Sequence, residues 1–364
     1  MLNQNTNSPK VIKASKHGIK NKYLDKDAKS IITKLNNSGF DAFIVGGFVR
    51  DSILGLKPKD CDVVTNATPE EIKKAIPKTR IIGRRFKIVH ARSGRNITEI
   101  STFRSSSNRE TKKSHKGIVL RDNNYGSIED DAYRRDFTIN SIAKDQNGRL
   151  IDPYNGIEDL ERKIFRHTSP AFAEDPLRVL RFARFKSYEQ LHEFKLDKET
   201  AVFFKKIINA NELQNLSPER VWMETKKALQ NKYSDEFFKS VIEYQIINPW
   251  FKNLKRVSCD GELPEFKWCD LQRVNDFKLF KLMPIPNSFM ATQKIFKQIL
   301  DLVESKNIKY KLRLIEKINV HRNYEILLGI KRYKCLQEHK KYLEQIFEAV
   351  MIINFSSLKK FHGS

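Results

Sequence analysis

The stretch DAFIVGGFVRDSILGLKPKDCD, residues 41–62 of a 364-residue chain, leaves few architectures open. An apolar, strand-forming run ends in Gly46-Gly47, an amphipathic helix follows, and Asp60 and Asp62 then stand one residue apart. Gly46 and Gly47 carry no side chains at a place where a phosphate can approach backbone N–H groups. The following FVRDSILG opens a helix whose N-terminus favours anions. On an extended KDCDVVT segment, period-2 geometry points Asp60 and Asp62 to one face and Cys61 to the other. At roughly 6 Å and an effective dielectric near 20, two such carboxylates repel by about 3 kcal/mol. A buried pair of that kind needs a cation. A Gly-Gly after a strand is by itself an ordinary turn, and a lone DxD is an ordinary solvated loop or helix cap. Their ordered combination predicts a nucleoside-triphosphate site with two metal ligands beside it.

Hydropathy patterning places this segment in an α/β region. A helix is predicted over residues 23–38 from Leu24, Ala28, Ile31, Ile32 and Leu35. Short β-type runs then alternate with helices to about residue 150: DAFIV, CDVVT, RIIGR, FKIVHA, NITEIST and TINSIAK. Residues 105–127 are rich in Ser, Lys, Arg and Gly and predict a flexible basic loop. From Ala173 onward the pattern is helical, with breaks near Pro218, Pro249, Pro264 and Pro284 to Pro286. The predicted fold class is an α/β head, a small mixed sheet with flanking helices, followed by an all-α neck and tail. The expected divisions are a basic flexible arm (1–22), a catalytic head (23–165), a helical neck (166–250) and a helical tail (251–364).

The formal net charge of +24 makes a polyanionic partner the natural reading. The alternative is a proteome rich in Lys, Asn and Ile, in which many proteins are basic. Four cysteines form no CxxC pair, so neither a zinc site nor a disulfide framework is expected, and a reducing cytosol is the default. The first 22 residues lack the apolar core of a signal peptide, and no run approaches the 18 apolar residues of a membrane span. A cytoplasmic protein without membrane partners is expected. The histidines are scattered and no His-Asp doublet occurs, which gives no support to a histidine-based phosphohydrolase.

Three further segments carry chemistry. Glu99 interrupts the β-branched ITEIST run, as a third acidic ligand or as a solvent-facing strand residue. In RRDFTIN, Arg134 and Arg135 can bind phosphate oxygens with forked geometry or form a surface ion pair. In EDPLRVLRFARF, Asp175, Arg178, Arg181 and Arg184 recur every three residues among apolar neighbours. Such a hemmed-in stripe predicts a cleft lining, although Asp175 before Pro176 is also a plain helix cap. SPERVWMETKKAL reads as a helix capped by Ser217, with Glu219, Arg220, Glu224 and Lys227 bracing the neck. The tail segment KRYKCLQEHKKYLEQIF interleaves aromatics and lysines, suited to gripping RNA or to an amphipathic helix with a solvated face.

VGGFVRD followed by KDCDVVTNATPEE resembles the head of class II template-independent nucleotidyltransferases, the family of bacterial poly(A) polymerases and tRNA CCA-adding enzymes. The resemblance continues through IIGRRFKIVHA, ITEISTFR, RRDFTIN, DPYNGIEDL, EDPLRVLRFARF and SPERVWMETKKAL, in family order over roughly residues 20 to 250. It implies an RNA-binding transferase that attacks the α-phosphorus of ATP with an RNA 3′-hydroxyl and releases pyrophosphate. It also implies two Mg²⁺ ions, held by Asp60 and Asp62, with Glu99 completing the catalytic set. Gly46, Gly47, Arg50 and Arg135 become nucleotide ligands by the same likeness, and Asp136 supports the ribose or holds the arginine. Asp175 and Arg178 then choose the base: adenine and cytosine offer them an amine beside a ring acceptor, and guanine and uracil do not. Arg181 and Arg184 hold phosphates. The head, IIGRRFKIVHA above all, favours a poly(A) polymerase acting on mRNA. The neck, with RHTSPAFAEDPLRVLRFARF and LSPERVW, is closer to a CCA-adding enzyme that takes CTP as well as ATP. Polyadenylation is the expected activity, tRNA CCA addition the alternative, and a non-catalytic RNA-binding protein the reading of another class.

Overall fold

The computed structural model describes residues 9–17, 19, 26–58, 61–83, 87–93, 96–104, 112–113, 119–120, 126–279, 281–330 and 332–352. The chain divides into two units, the first formed by Met1–Arg178 and Glu193–Asn215, the second by Val179–His192 and Leu216–Ser364. In the first unit, the described residues form an eight-stranded mixed sheet. Its strands are β1 (Lys10–Ile12), β2 (Ala42–Val45), β3 (Asp62–Thr65), β4 (Thr79–Ile82), β5 (Ile88–Ser93), β6 (Asn96–Thr102), β9 (Ala143–Lys144) and β10 (Leu150–Asp152). They lie in the order β1-β10-β9-β2-β3-β6-β5-β4, with β3 and β6 parallel and every other neighbouring pair antiparallel.

Sequence pattern explains these placements. Helix α1 (Lys26–Asn37) buries Ala28, Ile31, Ile32 and Leu35, the positions that the 3.6-residue period selects. Val45, Val64, Phe103 and Ala143 form a buried cluster, and Phe43 stacks on Phe103 at 6.0 Å. Helix α2 (Gly47–Ile53) follows β2 directly. Helix α3 (Pro69–Ala75) starts at a capping box between Thr68 and Glu71, and α4 (Ile128–Tyr133) at one between Ser127 and Asp130. Helix α5 (Gly156–Glu161) begins where the Asp152 carboxylate accepts the N–H groups of Gly156 and Ile157.

Several expectations differ from the structure. Residues 10–12, expected in a loose arm, form the edge strand β1, because Lys10, Val11 and Ile12 find register partners in Asp152, Ile151 and Leu150. TINSIAK is not one strand: Thr138–Asn140 is a 3₁₀ turn, and only Ala143–Lys144 pairs. Within the expected loop at 105–127, β7 (Lys112–Lys113) and β8 (Val119–Leu120) form a short antiparallel ladder. Most of that segment lies outside the described residues, as do Asp60 and the Arg84-Arg85-Phe86 part of GRRF. The first unit also contains the parallel pair β11 (Ile164–Phe165) and β12 (Lys195–Leu196), and helix α7 (Lys198–Asn209).

Helix α6 (Leu177–Lys186) carries the boundary between the units, after Arg178. The second unit continues with α8 (Pro218–Leu229), α9 (Ser234–Glu243), α10 (Pro264–Arg273), α11 (Asn287–Glu304), α12 (Ile308–Ile318), α13 (Val320–Ile330) and α14 (Lys340–Ile352). Ser217 caps α8 through the Arg220 N–H, with Pro218 in the first turn. Trp222, Trp268 and Phe289 meet edge to face at its core, and the Tyr333 hydroxyl donates to the Phe266 carbonyl at 2.5 Å. Among the described residues, no helix is long and apolar enough to cross a membrane.

Candidate active site

Strands β3 and β6 run parallel with Asp62 paired to Glu99. Register partners on neighbouring strands share a face. Both carboxylates are exposed, whereas Val63 and Ile100, the next pair, are fully buried. Asp62 and Glu99 therefore look out from one face of the sheet, fixed by backbone hydrogen bonds. On the other side of Glu99, His90 is its partner across β5, with Nε2 3.5 Å from Glu99 Oε1. Cys61 is buried while Asp62 is exposed, the alternation expected of KDCDVVT. Asp60, the other expected metal ligand, lies outside the described residues. In chemistry the described donors fit a hard divalent cation: two carboxylates on one face and no thiolate among them. Among the described residues, no cluster of three or more acidic, His or Cys side chains able to hold a metal occurs.

Gly46 follows β2 and lies near Asp62 with φ +74° and ψ −141°, a conformation that only glycine adopts without strain. A Cβ there would lie 3.5 Å from Arg135 Nη1 and 3.9 Å from Asp62 Oδ2. The bare Cα thus lies close to both a guanidinium and a carboxylate. A polyphosphate resting on this turn would meet both Arg135 and any cation held by Asp62.

Arg135 is held from behind. Its Nε and Nη2 both donate to Asp131 Oδ2, at 3.2 and 2.8 Å, and Nη1 reaches the Asn140 carbonyl at 3.5 Å. Asn140 also accepts from Arg50 Nη1 at 2.7 Å through Oδ1 and donates through Nδ2 to Asp136 Oδ1 at 2.9 Å. That oxygen further accepts the Phe137 N–H. The same network reaches Arg50, expected among the nucleotide ligands. Only 3% exposed, Arg50 binds Asp51 and Asn140 and braces the Gly46-Gly47 turn from beneath, with Nη2 3.4 Å from the Cβ position of Gly47. Asp136, also buried, holds Asn140 and through it Arg50.

The four members of the predicted stripe fall in different settings. Asp175 caps α6, its Oδ1 accepting the Leu177 N–H at 3.1 Å. Arg178 donates to the carbonyls of Ala171 and Arg134 and lies over the Phe172 ring. Arg181, in the second unit, lies 5.4 Å from the Phe185 ring centre. Arg184 departs from expectation. It is 5% exposed, its Nε donates to Glu224 inside the second unit, and its Nη1 donates to the Tyr188 hydroxyl. That buried pair braces the helices, as expected of Glu224 but not of Arg184.

Sequence reasoning passed over Asp131, Asn140 and Arg104. Asn140 carries no charge to advertise it, although it lies within RRDFTIN. Asp131 was masked by the acidic run EDD, where a helix N-terminus attracts carboxylates in any case. Arg104 follows β6 at the end of ITEISTFR; burial pushes its guanidinium below the usual range, and the like charge of Arg135 does the same, while Asp131 opposes both.

Two family models match the chain: the Poly A polymerase head domain over residues 42–166, and the probable RNA and SrmB-binding site of polymerase A over residues 193–257. Poly(A) polymerase I of Salmonella typhimurium is 37% identical over 256 residues, 68% of this chain and 54% of that protein. The multifunctional CCA protein of Legionella pneumophila is 42% identical over 201 residues, 55% of this chain and 47% of that protein. The match therefore spans about half the length of these curated relatives. Among solved structures, the Bacillus stearothermophilus CCA-adding enzyme in complex with CTP superposes with a TM-score of 0.67 at 24% identity, covering 93% of this chain and 88% of that one. The last is a likeness of fold.

Proposed function

Because the chain belongs to the class II template-independent nucleotidyltransferases, the family of bacterial poly(A) polymerases and tRNA CCA-adding enzymes, we propose that it is a polynucleotide adenylyltransferase. In this reading it adds AMP from ATP to RNA 3′ ends without a template. The observation that carries the proposal is the register of Asp62 with Glu99 beside the bare Gly46 turn and the Arg135 guanidinium.

In this reading the triphosphate rests on Gly46, where the missing side chain lets phosphate oxygens approach the backbone. Arg135 neutralises those oxygens and orients them, its own direction set by Asp131 and Asn140. Asp62, with Asp60 and Glu99, would hold magnesium, which when bound supplies charge stabilisation for the attacking and departing oxygens. Asp175 selects the base with Arg178, whose guanidinium is oriented by the carbonyls of Ala171 and Arg134. Arg50 and Arg184 contact no substrate and keep the turn and the helices in place.

A relative named poly(A) polymerase I, matched over the larger share of this chain, supports ATP-only tailing of RNA. The match to a multifunctional CCA protein, shorter but more nearly identical, favours a second reading, a tRNA CCA-adding enzyme using CTP and ATP. Purified protein given tRNA lacking its CCA end, with both nucleotides, separates them. Polyadenylation is expected to yield a run of A residues whose length grows with time. Products that stop after C-C-A would replace the first reading by the second.

A further inference from the structure

Asp131 sits in α4, whose start is fixed by the Ser127–Asp130 capping box. Its carboxylate is 11% exposed and the Arg135 side chain opposite is 22% exposed. An exposed i,i+4 ion pair is worth little, because long side chains must be immobilised in water. This pair differs, since both partners are mostly enclosed and the contact fixes the orientation of a planar fork. One oxygen takes Nε and Nη2, the guanidinium edge that faces away from Gly46. The remaining nitrogen, Nη1, is then the one presented to the turn, 3.5 Å from the position a Cβ would take. Arg104 shares the field of the same carboxylate.

We propose that Asp131 is a positioning residue, which grips Arg135 by its Nε–Nη2 edge so that Nη1 meets the nucleotide's phosphates at Gly46. This rests on the reading of Gly46, Asp62 and Arg135 as the nucleotide seat. Asp131 itself touches no substrate; it acts through Arg135 alone.

The test is steady-state AMP incorporation into RNA by the full chain, with KM for ATP and kcat measured separately for Asp131→Asn, Asp131→Glu, Arg135→Ala and the Asp131→Asn/Arg135→Ala double variant. Loss of a hydrogen bond to a charged group corresponds to about a tenfold effect. Asp131→Asn is expected to raise KM about tenfold in a protein that still folds, and Asp131→Glu to recover most of the loss. In the Arg135→Ala background the same Asn substitution is expected to change KM by less than about twofold, since coupled residues are non-additive. An equal loss in both backgrounds would overturn the proposal while leaving the seat intact. So would an unaltered KM in Asp131→Asn beside a raised KM in Arg135→Ala. An Arg135→Ala protein with wild-type KM would remove the seat itself, and the proposal with it.

Discussion

Gly46 concentrates the site's demands on one residue. Its φ of +74° with ψ of −141° excludes side chains on backbone grounds, and Arg135 and Asp62 flank the place where one would go. Gly46→Ala is therefore expected to be harmful twice over. Backbone strain of about 1–3 kcal/mol lowers the melting midpoint, and the added methyl enters the space assigned to phosphate, raising KM for ATP. Calorimetry and nucleotide titration separate the two effects. An alanine variant that melts earlier but binds ATP normally would move the phosphates away from this turn. At the same scale lie the arginines, which share one side chain and serve different ends. Arg135 keeps a nitrogen for the turn, whereas Arg50 and Arg184 are enclosed by Asp51, Asn140, Glu224 and Tyr188. A guanidinium in a sequence does not declare which of these it will be, because the partners that enclose it arrive from up to 90 residues away.

Among the elements, the β3–β6 ladder carries the acidic pair, and its central neighbour β2 carries the turn. Beside β2, Lys144 on β9 is 2% exposed, and burial pushes its ammonium below the ordinary lysine range despite the opposing influence of Cys61 and Asp145. A lowered folded-state value means that the unfolded chain binds more protons between that value and the ordinary one. Stability then rises with pH through this window. At neutral pH the buried charge opposes folding, so Lys144→Met is expected to melt higher than wild type at pH 7, with the gain shrinking towards about pH 10, where free lysine loses its proton. Melting curves across that range check it; a Met variant that melts lower at pH 7 would show the ammonium to be stabilising. Period-2 alternation made β2, β3 and β6 legible from residues alone, because apolar and acidic side chains had to take opposite faces. The pairing of Asp62 with Glu99 was not legible, since register is decided by long-range hydrogen bonding. Nor was the break in TINSIAK, where Ile139 and Ile142 are fully buried in the core around a 3₁₀ turn although the string reads as a strand. The cap of α6 was visible in Asp175-Pro176, and the division of its arginines between two units was not.

Across the whole molecule, a net charge of +24 supports a polyanionic partner, and the head and RNA-binding matches together reach residue 257. The chain beyond that point contributes a helical layer of its own, built around Tyr333, Phe266 and Phe296. Charge alone would serve a passive RNA binder equally well; ordered acidic residues beside a glycine turn would not be needed there. The decisive measurement is a gel of end-labelled RNA incubated with magnesium and one nucleoside triphosphate at a time, using wild-type protein and Asp62→Asn. The account predicts a ladder with ATP alone and at least about a hundredfold slower extension by the variant, the scale expected when one preorganised charge-stabilising group is removed. Equal extension by Asp62→Asn, or no extension by the wild type with any nucleotide, would contradict it.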